Sequence, residues 1–308
     1  MPTVLKNMLE NLNTFPAEIH ENMTVIGVNI SEKNNSDLMS LEIGLNLGLV
    51  EISEVDENGS VNEVKIINKA VTPLLLIDGE EIIGSKQNRI INSTIIIPAK
   101  SEKIIPVSCT EAGRWNYNST TFHYSKHMAN SRVRRDKLIS VSQSLKREKS
   151  FRSNQNKVWS NIREIQDELE VDSTTNALHD SFVQRSYDIE SYKKSFTIHE
   201  NQNGLIVYIN GELVGFEIMY NSRRYKEYHD KIIESYILDA ISKKGEEFNK
   251  ELIDEDSFLN MIKKSEFESY DSVGLGVDYR IDTDNLSGSA VIYNNKVVSA
   301  SFFMKDKN

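Results

Sequence analysis

Short runs of apolar and β-branched residues, separated by turn signals, dominate the first 115 residues. Runs of about four to eight such residues between Gly, Pro, Asn or Asp are typical of strands. Asn58-Gly59 and Asp78-Gly79 lie between such runs and predict tight hairpins, because these residues tolerate the positive φ angles of the turn. The predicted strands are 23–30, 49–55, 64–67, 74–77, 90–97 and 103–107.

Beyond residue 115 the apolar spacing changes to that of helices. Helical spacing of apolar side chains within 138–145, 158–169, 178–192 and 225–237 predicts four helices, the third capped by Asp172 or Ser173. Asn210-Gly211 and Asn294-Asn295 each lie between two runs of β-branched and aromatic residues. Both dipeptides therefore predict β-hairpins in the second part of the chain.

This order of elements predicts an α+β protein with an antiparallel, sandwich-like, β-rich N-terminal lobe, followed by a lobe of mixed helices and β-hairpins. We place the β-rich lobe at about 20–115, a helical basic segment at about 125–198 and a mixed α/β lobe at about 199–308. No low-complexity linker divides the sequence. The prediction is therefore a single compact domain over residues 1–308.

The charge and hydropathy patterns limit the protein's partners. A net charge of -10 opposes general nucleic-acid binding and attachment to an anionic membrane. No apolar run is long enough to span a bilayer, and residues 1–30 lack the features of a signal peptide, so we expect a cytoplasmic protein. Within 126–157, ten Lys and Arg residues accompany only Asp136 and Glu148. This basic segment is either a solvated helix face or a local anion site.

Cys109 is the only cysteine, which excludes an internal disulfide and fits a reducing compartment. Its thiol is either a small buried group or, with Glu111 and a distant His123, part of a nucleophilic site. His123 and His127 share helical spacing, but no third ligand stands out, so we expect no metal site there. The sequence names no cofactor.

The densest group of polar residues lies at the end of a predicted strand. Residues 85–89 read SKQNR, five polar residues in succession, whereas a half-buried strand alternates apolar and polar positions. Some of these side chains must therefore face inwards, where a polar group is costly unless it is paired or bound to a ligand. The two alternatives are a mutually satisfied polar cluster and a ligand site.

Four motifs along the chain resemble a known family. They are LLLIDGEEIIGSKQNR, IIPVSCTEAGRW, SNQNKVW and INGELVGFEI. With these motifs the chain resembles the ARG and Rhodanese-Phosphatase-superfamily-associated protein domain over most of its length. The resemblance implies a link to the metabolism of ADP-ribose or other NAD-derived nucleotides, and a functional association with ADP-ribosylglycohydrolase-type enzymes. It carries no established reaction.

The residue types in the first two motifs suit a phosphorylated small molecule. Lysine and arginine neutralise phosphates, and arginine grips two oxygens at once. Amide side chains pair with ribose hydroxyls or base edges, and an indole ring stacks on a base. The predicted ligand-binding residues are Lys86, Gln87, Asn88, Arg89, Arg114 and Trp115.

Three carboxylates are candidates for a general base, namely Glu80, Glu81 and Glu111, and Cys109 is a candidate nucleophile. Adjacent Glu80 and Glu81 point to opposite faces of a strand, so at most one shares a pocket with the cations, and we favour Glu81. One hypothesis is an enzyme that hydrolyses or transfers part of an ADP-ribose-like nucleotide. The alternatives are a non-catalytic module that senses or sequesters the same ligand and a structural partner of ADP-ribose-metabolising enzymes.

Overall fold

A computed structural model of the chain describes residues 1–30, 37–247 and 253–306. In these ranges the helices are α1 (Thr3–Glu10), α2 (Leu41–Asn46), α3 (Ser131–Glu148), α4 (Gln155–Glu168), α5 (Leu178–Gln184), α6 (Ser186–Lys193), α7 (Ser222–Ser242) and α8 (Glu255–Lys264). The strands are β1 (Leu12–His20), β2 (Met23–Ile30), β3 (Met39–Ser40), β4 (Val50–Ser53), β5 (Glu63–Asn68), β6 (Leu74–Leu76), β7 (Glu80–Gly84), β8 (Arg89–Ile91), β9 (Ile95–Ile97), β10 (Ser101–Cys109), β11 (Phe122–Met128), β12 (Gly204–Ile209), β13 (Glu212–Met219), β14 (Glu268–Asp271), β15 (Val277–Asp282), β16 (Leu286–Tyr293) and β17 (Lys296–Met304).

The mixture of helices with large antiparallel sheets confirms the predicted α+β class. The described chain divides into two compact units. One unit comprises 1–30, 185–247, 253–271 and 277–306, and the other comprises 37–184 with 272–276. The single domain predicted from the sequence stays a prediction.

The first unit contains an antiparallel sheet with the strand order β1-β2-β12-β13-β17-β16-β15-β14 among the described residues. The sequence grouped residues 23–30 with the early strands, but β2 pairs with β12. The predicted hairpins β12–β13 and β16–β17 are both present. Their turns have positive φ at Asn210, Gly211, Asn294 and Asn295, as such tight turns require.

The second unit contains the predicted functional residues. Its larger sheet has the order β11-β7-β8-β10-β5-β4, and β3, β6 and β9 form a smaller one. β3 pairs with β6 in parallel, unlike the antiparallel pairs of the larger sheet. Its apolar core includes Ile52, Ile66, Ile82, Val107 and Phe122. Arg89, the last residue of the SKQNR block, therefore begins a strand that borders an apolar core.

Two predictions in this unit were wrong. Asp78-Gly79 forms a turn with a φ of 84° at Gly79, but β6 and β7 on either side of it belong to different sheets. The predicted strand 90–97 is two strands, β8 and β9, which also join different sheets. The polar residues 92–94 separate them. The chain thus changes sheets at two points, Asp78-Gly79 and residues 92–94, which the alternation of apolar and polar residues alone does not indicate.

The predicted helices over 138–145 and 225–237 lie within α3 and α7, and the one over 158–169 corresponds to α4, which ends one residue earlier. The single helix predicted over 178–192 is two helices, α5 and α6. β11 was missed because its sequence, FHYSKHM, is largely polar and lies in a stretch that reads as a loop. Among the helices in the described part of the chain, none is long and apolar enough to cross a membrane.

Candidate functional site

The hairpin of β7 and β8 distributes the predicted site residues over two faces. Directly opposed residues on antiparallel strands lie on the same face of the sheet. Arg89 is opposite Ile82 on one side and Cys109 on the other. Ile82 belongs to the apolar core, so Arg89 and Cys109 face inwards with it. Glu81 is opposite Ile90 and therefore faces the other way.

The inward-facing polar cluster is built around Arg89, whose side chain is fully buried. Its guanidinium lies 3.7 Å from Glu54 and donates a 3.3 Å hydrogen bond to Gln87 Oε1. It also donates to the carbonyl oxygen of Ser60 at 3.4 Å. Burial lowers the pKa of Arg89, although the neighbouring carboxylates oppose that effect. Its charge is thus met by groups of the protein itself.

Cys109 lies in the same cluster and its side chain is buried. Its Sγ is 3.0 Å from Gln87 Oε1 and 3.2 Å from the carbonyl oxygen of Val61. Burial raises the pKa of the thiol to about 12, despite the opposing charge of Arg89. A protonated, enclosed thiol is a poor nucleophile at neutral pH, which favours the interpretation of Cys109 as a small buried group.

Glu111 and Arg114 form a second ion pair at the edge of this cluster. Both oxygens of Glu111 accept from Arg114, at 2.8 Å from Nε and 2.6 Å from Nη2. Glu111 also accepts from the backbone N–H of Asn88 at 3.1 Å and from Thr175 Oγ1 at 2.9 Å. Burial would raise the pKa of Glu111, but these hydrogen bonds outweigh it, so its pKa is lowered. Glu111 is therefore a bound carboxylate, which makes it a weak base.

Lys86 differs from the two arginines because its partners are neutral. Its Nζ donates to the carbonyl oxygens of Glu57 at 2.8 Å and Asn58 at 2.6 Å. The ammonium also lies 5.4 Å from the ring centroid of Trp115 and 5.0 Å from that of Tyr117. Both rings are about half exposed, at 42% and 50%. We call Lys86, Trp115 and Tyr117 the aromatic strap.

A family model described as the ARG and Rhodanese-Phosphatase-superfamily-associated Protein domain matches residues 11–303. The chain belongs to this family. The predicted resemblance is thereby confirmed, and it extends over nearly the whole sequence. The family name associates the domain with ARG and with the rhodanese-phosphatase superfamily. Comparison with curated proteins gave no match, and neither did comparison with solved structures.

In this ARG and Rhodanese-Phosphatase-superfamily-associated domain, the outward face of the hairpin carries a separate cluster. Glu81 Oε2 accepts a 2.7 Å hydrogen bond from Ser125 Oγ on β11 and lies 2.9 Å from Nδ1 of His179 on α5. Glu81 is buried, whereas the side chain of His179 is 28% exposed. The His127 ring packs edge-on against His179 at 5.3 Å. We call Glu81, Ser125 and His179 the outer cluster.

Glu80 and the basic segment take part in the interior of the unit. Glu80 is fully buried, and its Oε2 accepts from the backbone N–H of Ile77 at 2.7 Å. Asp78 is hydrogen-bonded to Lys137 and lies 3.7 Å from Arg134, and both cations are buried. These two basic residues therefore belong neither to a solvated helix face nor to a surface anion site. They hold α3 against the strand end.

The structure brings the predicted residues together only in part. Gln87 is hydrogen-bonded to Arg89 and Cys109, and Asn88 is hydrogen-bonded to Glu111 and Arg114. Lys86 joins them through Glu54, which accepts from its backbone N–H and pairs with Arg89. Glu81 lies on the other face. A cavity of about 320 Å³ lies between β4 and β11, and its lining includes none of the predicted ligand-binding residues.

Sequence reasoning missed Glu54, Tyr117 and His179. Glu54 follows β4 in a loop, and Tyr117 lies in the Asn- and Ser-rich stretch after Trp115. The signal that could have identified Tyr117 is its position two residues after Trp115 in a polar loop, where large aromatic residues are uncommon. His123 is exposed on β11, and the described residues contain no group of three or more His, Cys, Asp or Glu that would hold a metal ion.

Proposed function

We propose that the second unit binds a phosphorylated nucleotide of the ADP-ribose class at the aromatic strap, in the cytoplasm, as a functional associate of ADP-ribosylglycohydrolase-type enzymes. The observation that carries the proposal is Lys86. Among the described residues it has no carboxylate within ion-pair distance, yet its ammonium lies under two exposed aromatic rings. An unpaired cation beside stacking surfaces suits an anionic ligand that carries a base.

Hydrogen-bond counting supports the same assignment. An ammonium group has three donors, and Lys86 uses two of them on the carbonyl oxygens of Glu57 and Asn58. The third has no acceptor among the described residues, and we assign it to a phosphate oxygen. Counting formal charges in the cluster, three cations (Lys86, Arg89, Arg114) face two carboxylates (Glu54, Glu111), which leaves one positive charge in excess. A phosphate would balance that charge.

The two arginines of the motif have a different part in this proposal. Arg89 and Arg114 form ion pairs with Glu54 and Glu111. They therefore stabilise the structure next to the aromatic strap and do not contact the ligand. The sequence assigned all three cations to the ligand, and we now assign direct phosphate contact to Lys86 alone. Trp115 keeps its predicted stacking role, with Tyr117 beside it.

Calorimetric titration with ADP-ribose, NAD and AMP tests the proposal. Trp115→Ala should weaken binding by about 1–3 kcal/mol, the usual contribution of one stacked base. Lys86→Met should weaken binding of the charged ligands and remove most of the salt dependence, while adenosine binding changes little. Tyr187→Ala is the matched control, because Tyr187 is an 87% exposed aromatic residue in the other unit. If wild-type protein binds none of these ligands, the proposal is wrong.

A further inference from the structure

The outer cluster ends at solvent, unlike the arginine clusters. Nδ1 of His179 is held 2.9 Å from Glu81, and the side chain is 28% exposed. Within the described residues, Nε2 of His179 makes no hydrogen bond. The imidazole therefore has one nitrogen fixed by the protein and the other open to a ligand or water.

Glu81 is suited to orient this imidazole. Its side chain is buried, and its Oε2 accepts from both Ser125 Oγ and His179. Its Oε1 is buried with no hydrogen-bond partner among the described residues. A carboxylate that accepts from Nδ1–H fixes the tautomer in which Nε2 accepts a proton, and it stabilises the imidazolium that then forms. Because no donor is bonded to Oε1, the negative charge of Glu81 is less neutralised by other groups and attracts that imidazolium more strongly.

The surroundings of His179 favour its charged form. The hydrogen bond to Glu81 raises the pKa of His179, burial opposes the rise, and the charges of Glu81 and Asp180 add to it. Lys126 on β11 acts in the opposite direction. His127, also on β11, packs edge-on against the ring. The raised pKa makes this imidazole a stronger base than a free histidine.

We propose that His179 is a general acid–base residue for hydrolysis of a phosphorus–oxygen bond in a phosphorylated nucleotide, with Glu81 as its positioning residue. The substrate class rests on the proposed function. A water oxygen forms a bond to phosphorus while its proton passes to Nε2 of His179. The bond from phosphorus to the leaving oxygen breaks with its electron pair on that oxygen, which then receives the proton from His179.

The hydrogen bonds of the outer cluster favour direct attack by water over a covalent route. Ser125 donates its hydroxyl proton to Glu81, whereas a serine nucleophile would need its proton on His179. Cleavage of a glycosidic bond is also disfavoured, since that chemistry commonly uses two carboxyl groups at the substrate. Here Glu81 is buried behind His179, so it does not reach a surface-bound sugar.

The experiment measures turnover of ADP-ribose and of thymidine 5′-monophosphate 4-nitrophenyl ester by the full chain. His179→Asn should lower kcat by about a hundredfold or more, which is the usual contribution of general acid–base catalysis. His199→Asn is the matched control, because the side chain of His199 is 29% exposed, close to that of His179, and lies in the other unit. The control should retain wild-type turnover. Melting temperatures of all variants verify that each one folds.

Glu81→Gln distinguishes a positioning role from a structural one. Glutamine keeps a hydrogen-bond acceptor for Nδ1 but removes the charge, so the pKa of His179 measured by NMR should fall. The rising limb of kcat/KM against pH should move to lower pH by the same amount, because the free base acts in the first step. A variant that loses activity with no shift in either titration would contradict the positioning role of Glu81.

The outcomes separate this proposal from the previous one. Wild-type protein that binds ADP-ribose but turns over neither substrate would overturn only the acid–base role. Turnover of the nitrophenyl ester that depends on His179, without binding of ADP-ribose, would support the acid–base role and contradict the proposed ligand. Equal turnover by wild type and His179→Asn would overturn the proposal for His179.

Discussion

Arg89 and Glu81 lie on paired strands of one hairpin, and both are almost completely buried, at 0% and 1% exposure. The ion-pair partner of Arg89, Glu54, and its hydrogen-bond partner Gln87 are themselves buried. Glu81 has one partner, His179, that reaches solvent. Both regions contain a buried charged side chain, but the partners named for Arg89 are buried, whereas one partner of Glu81 is partly exposed. Of these two buried charges, we therefore propose a role in catalysis only for Glu81, whose hydrogen-bond network reaches solvent.

The two regions should also differ in what they contribute, stability in one and proton transfer in the other. Enclosed charges destabilise a fold unless each has its partner, and removal of one partner leaves the other uncompensated. A carboxylate whose network ends at an exposed imidazole has a partner that can lose its charge to solvent. We therefore expect stability to depend mainly on the inward-facing polar cluster around Arg89 and proton transfer mainly on the outer cluster.

Replacement of Arg89 is the largest expected effect. Arg89→Met leaves the buried Glu54 without its cation, because Glu54 is 7% exposed and pairs with Arg89 at 3.7 Å. Loss of one partner in a buried ion pair costs about 3–5 kcal/mol. Urea unfolding at neutral pH measures the difference in free energy of unfolding. Addition of Glu54→Gln to Arg89→Met should restore part of the loss, since the uncompensated charge is then removed.

Arg152→Met is the matched control for that experiment. Arg152 pairs with Glu63 at 3.4 Å, but the two side chains are 58% and 37% exposed. Exposed pairs contribute less than about 1 kcal/mol. If Arg89→Met costs no more than Arg152→Met, the inner cluster does not hold the fold together, and the contrast between the two faces disappears.

Glu111 gives a pH-dependent test of intermediate size. Glu111→Gln removes charge-assisted hydrogen bonds from Arg114 and should cost about 1.5–3 kcal/mol at pH 7. The pKa of Glu111 is lowered in the fold, so between that value and its unfolded value of about 4.3 the unfolded chain binds more protons. The stabilisation is therefore present above pH 4.3 and is lost as the pH falls through the folded pKa. Melting curves of wild type and variant should converge in acid, and parallel curves would contradict this account.

The sequence was sufficient to locate the polar block and the family but not to divide its residues between functions. SKQNR connects β7 to β8 and includes the first residue of β8. The alternation of side chains along a strand correctly implied that Glu80 and Glu81 point in opposite directions. The partners were not predictable, because Glu54 and His179 lie far along the chain and carry no periodic signal. Tertiary packing selects such partners after the local elements have formed.

The turn at Asp78-Gly79 shows the same limit for the fold. Local turn chemistry correctly predicted the positive φ of Gly79 but implied that the flanking strands pair. The chain changes sheets there instead, and Lys137 of α3 binds the Asp78 carboxylate at that point. The ion pair between a turn and a helix about sixty residues later has no counterpart in local propensity.

Replacement of Cys109 should have the smallest effect on the free energy of unfolding. The reactivity of its thiol tests directly whether solvent reaches the inward-facing polar cluster around Arg89. The thiol is buried, contacts Gln87 Oε1 and the Val61 carbonyl oxygen, and has a pKa raised to about 12. A thiolate is the reactive form, so the native protein should resist a disulfide reagent at pH 8 and release one equivalent of reactive thiol on unfolding in urea. Cys109→Ala should cost only about 1 kcal/mol and leave ligand binding intact, because the change removes one buried atom and no charge. Rapid labelling of the native thiol would mean that the cluster around Arg89 opens to solvent, and Arg89 would then resemble Glu81, as a buried charge whose hydrogen-bond network reaches solvent.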